Sequence, residues 1–243
     1  AAQERGAGKR SEEGLSAMRT TRLGTWIRGN AKFIAFVLLF GVFRTAIADW
    51  NPIPSASMHP NLLEGDVVFV NRLAFDLKLP LADVIVAHTG DPERGDIVTF
   101  FAPDNGMRLI KRVIGLPGDT IEMRGKRLYV NGVVASYDDL GLADEPLAPR
   151  GVKALHVEEA TAGNRREIQW LVRRGQRDDF GPLAIPADHY LMLGDNRDNS
   201  EDSRWFGLVP REKLIGRAER ILVSADYKDT WALRFSRFGK KLY

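Results

Sequence analysis

The chain has 243 residues, 44% of them hydrophobic and including five Trp and twelve Phe, enough to bury one good core or a core with a small inserted lobe. It contains no Cys, which excludes disulfides, thiolate metal sites and a thiol nucleophile. Its formal charge of +3 equals that of residues 1–28, where six bases (Arg5, Lys9, Arg10, Arg19, Arg22 and Arg28) face three acids (Glu4, Glu12 and Glu13), so the rest is balanced and the charge points to no nucleic-acid partner.

The basic tail at 1–28 is followed by a run without a polar residue from Phe33 to Phe43. As a helix that run reaches only about 16 Å, half the bilayer core, but its extension from Trp26 to Trp50 reaches about 36 Å and sets a Trp near each headgroup layer. Lys32 and Arg44 can carry their charges outward along aliphatic stems. A transmembrane anchor is expected at 29–48, with the tail on the cytoplasmic face and everything beyond Ala48 outside. A cleavable signal peptide ending in Ala46-Ile47-Ala48 and a buried core helix are the rival readings, and the residues leave all three open.

Beyond the anchor, short β-rich runs alternate with turn signals: VVFV at 67–70, DIVTFF at 96–101, RLIKRVIG at 108–115, TIEM at 120–123 and RLYVNGVV at 127–134. Gly-Asp recurs at 65–66, 95–96, 118–119 and 194–195 and reads as turns, since no phosphate-loop pattern follows. Residues 136–184 change to an acidic, Pro- and Gly-bearing stretch and then two strands, ALHVEE and REIQWLVRR, around TAGN. The expected architecture is mainly β: a transmembrane helix, then an all-β catalytic domain of antiparallel sheets, with core parts at 49–135 and 185–243 around a small inserted β lobe at 136–184.

PIPSASMHPNLLEGD sets Ser55 and Ser57 between Pro52, Pro54 and Pro60, a stiff extended backbone that fixes where a hydroxyl points. A serine nucleophile needs a base, and none of His59, His88, His156 and His189 sits in a recognisable triad motif. A desolvated lysine can serve instead. In RLIKRVIG as a strand, Leu109, Lys111 and Val113 share one face and Ile110, Arg112 and Ile114 the other. An ordinary lysine is neutral in only about four molecules in ten thousand at pH 7, so Lys111 needs a shift of roughly 3 units, which burial among apolar side chains can supply. The bland alternative is a strand lysine reaching solvent. The loop from Asp195 to Arg204 fails the EF-hand template, with Arg197 and Ser200 where an acid and a glycine belong, and its acids and arginines suggest internal ion pairs that hold Ser200 rigid.

Together these segments resemble the bacterial type I signal peptidases. PSASMHPNL (54–62) is similar to the nucleophile box, GDVVFVNR (65–72) to the next, RGDIVTF with RLIKRVIGLPGD (94–119) to the lysine box, and GDNRDNSEDSR (194–204) to the last. The resemblance implies a serine endopeptidase of the bacterial inner membrane that removes signal peptides from exported preproteins after Ala-x-Ala. It makes Ser57 the nucleophile and Lys111 the general base, puts the Ser57 N–H and the Ser55 hydroxyl in the oxyanion hole, and has Ser200 orient Lys111. It sets Ile53, Met58, Leu62, Leu109 and Ile110 near shallow apolar substrate pockets, and makes Asp195, Arg197, Asp202 and Arg204 the charged residues that brace the site. It implies no metal or cofactor, and as partners preproteins, the bilayer and the secretion translocon. His59, Asn61 and Leu109 depart from the family pattern and bear on substrate preference.

Three other functions stand beside the general one. A specialised pilin or conjugation peptidase shares the same pair of residues. An inactive membrane-bound paralogue would hold signal peptides without cutting them, against which all four of Ser55, Ser57, Lys111 and Ser200 are present. Self-cleaving repressors use a serine and a lysine too, but carry a helix-turn-helix domain for which the 28-residue tail is too short.

Overall fold

The computed structural model describes residues 25–79, 84–144, 152–161, 163–172 and 179–242. The tail expected at 1–28 lies outside the described residues up to residue 24. The chain divides into two compact units at Thr45/Ala46.

In the first unit an α-helix, α1 (Ala31–Val42), follows a helical stretch at 25–29 that ends in a turn at Asn30; a π-helical turn, Phe43–Ile47, follows α1 across the division at Thr45/Ala46. Phe33, Phe36, Leu38, Leu39 and Phe40 are all exposed along α1. Twelve residues make about 18 Å of helix, and among the described residues no helix is long and apolar enough to cross a membrane.

The second unit is mainly β, with antiparallel pairing throughout its named strands. Its main sheet has seven strands in the order β1 (Ala48–Pro52), β2 (Asp66–Asn71), β16 (Leu214–Ser224), β5 (Ile97–Phe101), β6 (Arg108–Gly115), β14 (His189–Leu193) and β15 (Val209–Pro210). A four-stranded sheet joins β13 (Phe180–Ala184), β7 (Thr120–Arg124), β8 (Arg127–Val130) and β9 (Val133–Val134). β10 (Ser136–Asp144), β11 (Lys153–Thr161) and β12 (Asn164–Leu171) form a third sheet, and β3 (Asp76–Lys78) pairs with β4 (Ile85–His88). The strands fall on the β-branched runs the sequence marks, because period-two alternation offers one face to a core. Along β2, for example, Asp66, Val68 and Val70 are buried while Val67, Phe69 and Asn71 are only half-buried. Residues 180–184 pair with β7 rather than with the β10–β12 sheet, so the stretch 136–184 contributes strands to two sheets.

Three apolar clusters fill the second unit, and β6 reaches all of them: Ile110 packs with Ile53, Met58 and Leu62, Val113 with Phe100 and Met192, and Ile114 with Ile121 and Leu193. The strand that carries Lys111 is therefore fixed along its length. Three of the four Gly-Asp pairs are one repeated turn, in which Gly65, Gly95 and Gly118 adopt positive φ and Asp66, Asp96 and Asp119 each accept a hydrogen bond from the backbone N–H three residues earlier. Gly194-Asp195 is different, and its difference matters for the site.

Candidate active site

After β1 the chain runs extended through Ser55 and then makes a tight 3-10 turn at Ala56–Met58, with the His59 N–H donating to the Ala56 carbonyl. Met58 and Leu62 have no exposed surface and pin this loop into the core beside Ile53. On its far side His59, fully buried, lies 2.7 Å from the Glu64 carboxylate, whose other oxygen accepts from Lys228 at 2.9 Å. Burial opposes the charge of Glu64, yet His59 and Lys228 outweigh it and hold the carboxyl down at about 2. Ser57 sits between these two anchors.

Lys111, in the middle of β6, donates to the Ser57 Oγ at 2.7 Å and to its neighbour's carbonyl, Ile110, at 3.1 Å. It is only 3% exposed and Ser57 only 8%. Burial pushes the Lys111 ammonium down from 10.5 to about 8, against the opposing pull of Asp202, Asp195 and Glu201. The Ser55 Oγ stands 3.4 Å from the Ser57 Oγ, on the exposed side of the turn.

β14 ends beside β6 and delivers the segment from Gly194 to Arg204. Gly194 passes so close to Ser200 and to the Ser57 carbonyl that a Cβ there would collide with both. The Asn196 N–H donates to the Ser57 carbonyl at 3.1 Å and its side-chain amide to the Ala56 carbonyl at 3.1 Å, so this segment grips the backbone of the Ser57 turn. Asp202 accepts from the Gly194 N–H at 3.0 Å and from the Arg204 guanidinium at 2.8 Å twice, and it caps the short helix α2 (Ser203–Phe206).

Only the Asp202–Arg204 pair is internal to this loop. Asp195 is held by Arg112 of β6 through two hydrogen bonds of 2.7 Å, with Asn61 adding a third at 2.8 Å. Arg197 forks onto Glu159 of β11 at 2.6 and 2.7 Å. Burial works against the charge of Glu159, but Arg197 and Arg166 hold its carboxyl down at about 2. Asp198 takes Lys126. The β10–β12 sheet is joined to the site through this Glu159–Arg197 pair and through the Arg197 N–H, which donates to the Gln169 carbonyl. Sequence reasoning finds one side of each pair and misses the other. Glu159 carries the clearer signal: counted in twos from Val157 along β11, it falls on the buried face with Thr161.

The structure thus brings Ser55, Ser57 and Lys111 together. Ser200 is buried beside Gly194, but its hydroxyl has no hydrogen-bond partner among the described residues and makes no bond to Lys111. Of the expected pocket residues, Ile53, Met58, Leu62 and Ile110 share one core cluster, and Leu109 is half-buried against another. Among the described residues no group of His, Cys, Asp and Glu could hold a metal ion.

An antiparallel β unit that presses a buried serine hydroxyl against a buried amine stands, as a class, with the serine peptidases. Residues 25–223 match the family model described as signal peptidase, peptidase S26. Signal peptidase I of Pseudomonas fluorescens is 36% identical over 219 residues, which cover 85% of this chain and 75% of that one. Signal peptidase I of Pseudomonas aeruginosa is 37% identical over the same length and the same shares. The chain belongs to the signal peptidase family, peptidase S26.

Proposed function

We propose that this chain removes N-terminal signal peptides from exported preproteins, with Ser57 as nucleophile and Lys111 as general base. The observation that carries the reading is the 2.7 Å contact between the Lys111 Nζ and the Ser57 Oγ, made by an ammonium that burial has brought to about 8. At that value roughly one molecule in ten is neutral at pH 7, against about four in ten thousand for an ordinary lysine.

The neutral amine accepts the Ser57 proton as Oγ attacks the scissile carbonyl. The resulting oxyanion is met by the Ser57 N–H and the Ser55 hydroxyl. Lys111, now an ammonium, gives its proton to the leaving amine of the mature protein, and the signal peptide stays as an ester on Ser57. Water, deprotonated by Lys111, then attacks the ester, and the proton returns to Ser57 as the signal peptide departs. Ser200 lies beside Gly194 within this environment and orients the amine once Lys111 has lost its proton and can accept a hydrogen bond.

The substrate is taken as small residues on a shallow apolar surface, the Ala-x-Ala preference, with Ile53, Met58, Leu62 and Ile110 as its packed floor and Leu109 as its side. Asp195, Arg197, Asp202 and Arg204 hold the floor through the ion pairs described above. No metal or cofactor takes part.

We further propose that residues 29–48, which include α1 of the first unit, are the membrane anchor of the enzyme. Its support is the exposed apolar surface of α1, with Phe43 and Ile47 also exposed in the π-helical turn that follows. The tail at 1–28 then faces the cytoplasm, and the catalytic parts at 49–135 and 185–243, with the lobe at 136–184, work on the outer side of the inner membrane, near the secretion translocon.

Purified protein in detergent, given an unrelated Ala-x-Ala preprotein, tests the reading. Cleavage that is lost in Ser57→Ala supports it. Folded protein that leaves the preprotein intact overturns it in favour of a dedicated substrate or an inactive paralogue.

A further inference from the structure

The loop that carries Ser57, between β1 and β2, is closed on itself. At its neck the Ile53 N–H donates to the Asp66 carbonyl at 2.8 Å and the Gly65 N–H to the Ile53 carbonyl at 3.0 Å. A closed neck fixes where a loop begins and ends, and its inner residues keep their own freedom unless side chains pack across it. Inside this loop the His59 N–H donates to the Ala56 carbonyl at 3.1 Å and the Leu62 N–H to the Met58 carbonyl at 2.9 Å, which makes two short turns. One polar pair spans them: His59 Nε2 lies 2.7 Å from Glu64 Oε2.

Both partners are buried, and neither takes part in the proton transfers assigned to Ser57 and Lys111. Apolar side chains of the same volume commonly stabilise an interior as well as a buried ionic pair does, so packing alone does not account for a histidine and a glutamate here. What a charge-assisted hydrogen bond adds is direction. Burial opposes the charge of Glu64, but His59 and Lys228 keep it a carboxylate. A carboxylate can only accept, so Nε2 is the donor and the imidazole ring is fixed. The other carboxylate oxygen accepts from Lys228 at 2.9 Å. The Glu64 carbonyl accepts from Arg234 at 2.9 Å, and Arg234 also donates to the Ser224 Oγ, at the end of β16, at 3.3 Å. One end of the pair is thus tied to the main sheet, and the other lies two residues from Ser57.

We propose that His59 and Glu64 form a strut that positions the Ser57 hydroxyl against Lys111, with Lys228 steadying its outer end. They are positioning residues for the reaction proposed above, and the inference rests on that reaction. The Ser57 Oγ must stay within reach of the Lys111 Nζ, 2.7 Å away, and a displacement of an ångström costs about a hundredfold in rate. The Asn196 N–H holds the Ser57 carbonyl from one side of the turn; the strut holds the chain that leaves it.

The test uses the full chain in detergent with one Ala-x-Ala preprotein, each variant assayed well below its Tm so that unfolding does not enter kcat. His59→Met fills the buried space without a donor, whereas His59→Gln keeps a donor for Glu64. We expect His59→Met to lower kcat about tenfold or more with KM changed less than about twofold, and His59→Gln to restore most of the loss. The pH midpoint of kcat/KM is expected to stay near 8 in both, since the surroundings of Lys111 are untouched. Lys228→Met removes a partly exposed cation and opens no buried space; it is expected to cost about threefold in kcat, and Lys153→Met, at an exposed lysine elsewhere, nothing. Lys228→Met keeps the test decisive should His59→Met fail to fold. An unaltered kcat in His59→Met, or in Lys228→Met where His59→Met does not fold, overturns the proposal. So does a loss that His59→Gln shares in full, or a midpoint that moves toward 10.5. No cleavage by the unaltered chain overturns the proposed reaction and the strut with it, so the two failures are told apart.

Discussion

Arg112 grips Asp195 with two parallel hydrogen bonds of 2.7 Å, one position along the strand from Lys111. The fork ties β6 to the segment that holds the Ser57 carbonyl, so the distance between amine and hydroxyl is set by a pair that touches neither. Removing one partner of such a pair strands the other charge in the interior. Asp195→Asn is expected to cost about 3–5 kcal/mol of stability and to lower kcat by more than it raises KM. Chemical denaturation alongside steady-state kinetics on one preprotein checks both.

The pH dependence of cleavage follows from the Lys111 value of about 8. Activity is expected to rise with pH as the amine loses its proton, with the midpoint of kcat/KM near that value. Lys111→Arg is expected to be inactive throughout, because a guanidinium stays protonated. A profile that is flat from pH 6 to 10, or an active Lys111→Arg, removes Lys111 from the role of base.

The same shift makes a claim about folding. The unfolded lysine holds its proton up to 10.5 and the folded one only to about 8, so between those values the unfolded chain binds more protons and stability rises with pH. Below 8 the folded protein carries the whole cost, about 3 kcal/mol. Lys111→Met is therefore expected to be inactive yet more stable at pH 7 by several degrees in Tm, with the gain gone above 10.5. Calorimetry of both proteins across that range checks the sign.

Gly194 has ordinary space only for a hydrogen. Gly194→Ala drives a methyl group into Ser200 and the Ser57 carbonyl, and we expect about a hundredfold loss of kcat, since misplacing a reacting group by an ångström costs that much. The double variant Gly194→Ala, Ser200→Gly relieves the collision with Ser200 but not that with the Ser57 carbonyl, so its kcat is expected to stay low; the Tm measures how much of the loss is folding.

Ser200→Ala removes a buried hydroxyl without a hydrogen-bond partner among the described residues. The expected result is a Tm unchanged or raised, with kcat reduced less than in Ser57→Ala or Lys111→Ala. A large fall in Tm would show that the hydroxyl is bonded in the resting protein.

What the sequence shows of this molecule is what lies along one strand. The alternation of RLIKRVIG predicts β6 with its two faces, and β6 runs from Arg108 to Gly115. The prolines around Ser55 and Ser57 predict a stiff loop, and the turn there is tight and packed. The expected internal pairing of the 195–204 loop holds for Asp202 with Arg204 and not for Asp195 or Arg197, whose partners stand 83 and 38 residues away. Opposite charges at that separation are indistinguishable, in sequence, from solvated ones, because only the fold decides which carboxylate loses its water. His59 illustrates the same limit: two residues from Ser57 it sits in no recognisable triad motif, and its partner Glu64 is apparent only when the loop closes. The anchor expected at 29–48 rests on composition, and α1 itself is shorter than the stretch from Trp26 to Trp50 that suggests it.

The hydrogen bond from the Asn196 N–H to the Ser57 carbonyl has a consequence in time. Ser57 and Lys111 both lie in the first half of the chain, but the clamp on the Ser57 turn comes from the last quarter. A polypeptide emerging in order holds Ser57 and Lys111 long before it holds the segment that grips the Ser57 carbonyl. The close setting of the Ser57 hydroxyl against the Lys111 amine is thus completed only as the final strands close, and the activity proposed for the pair is expected only then.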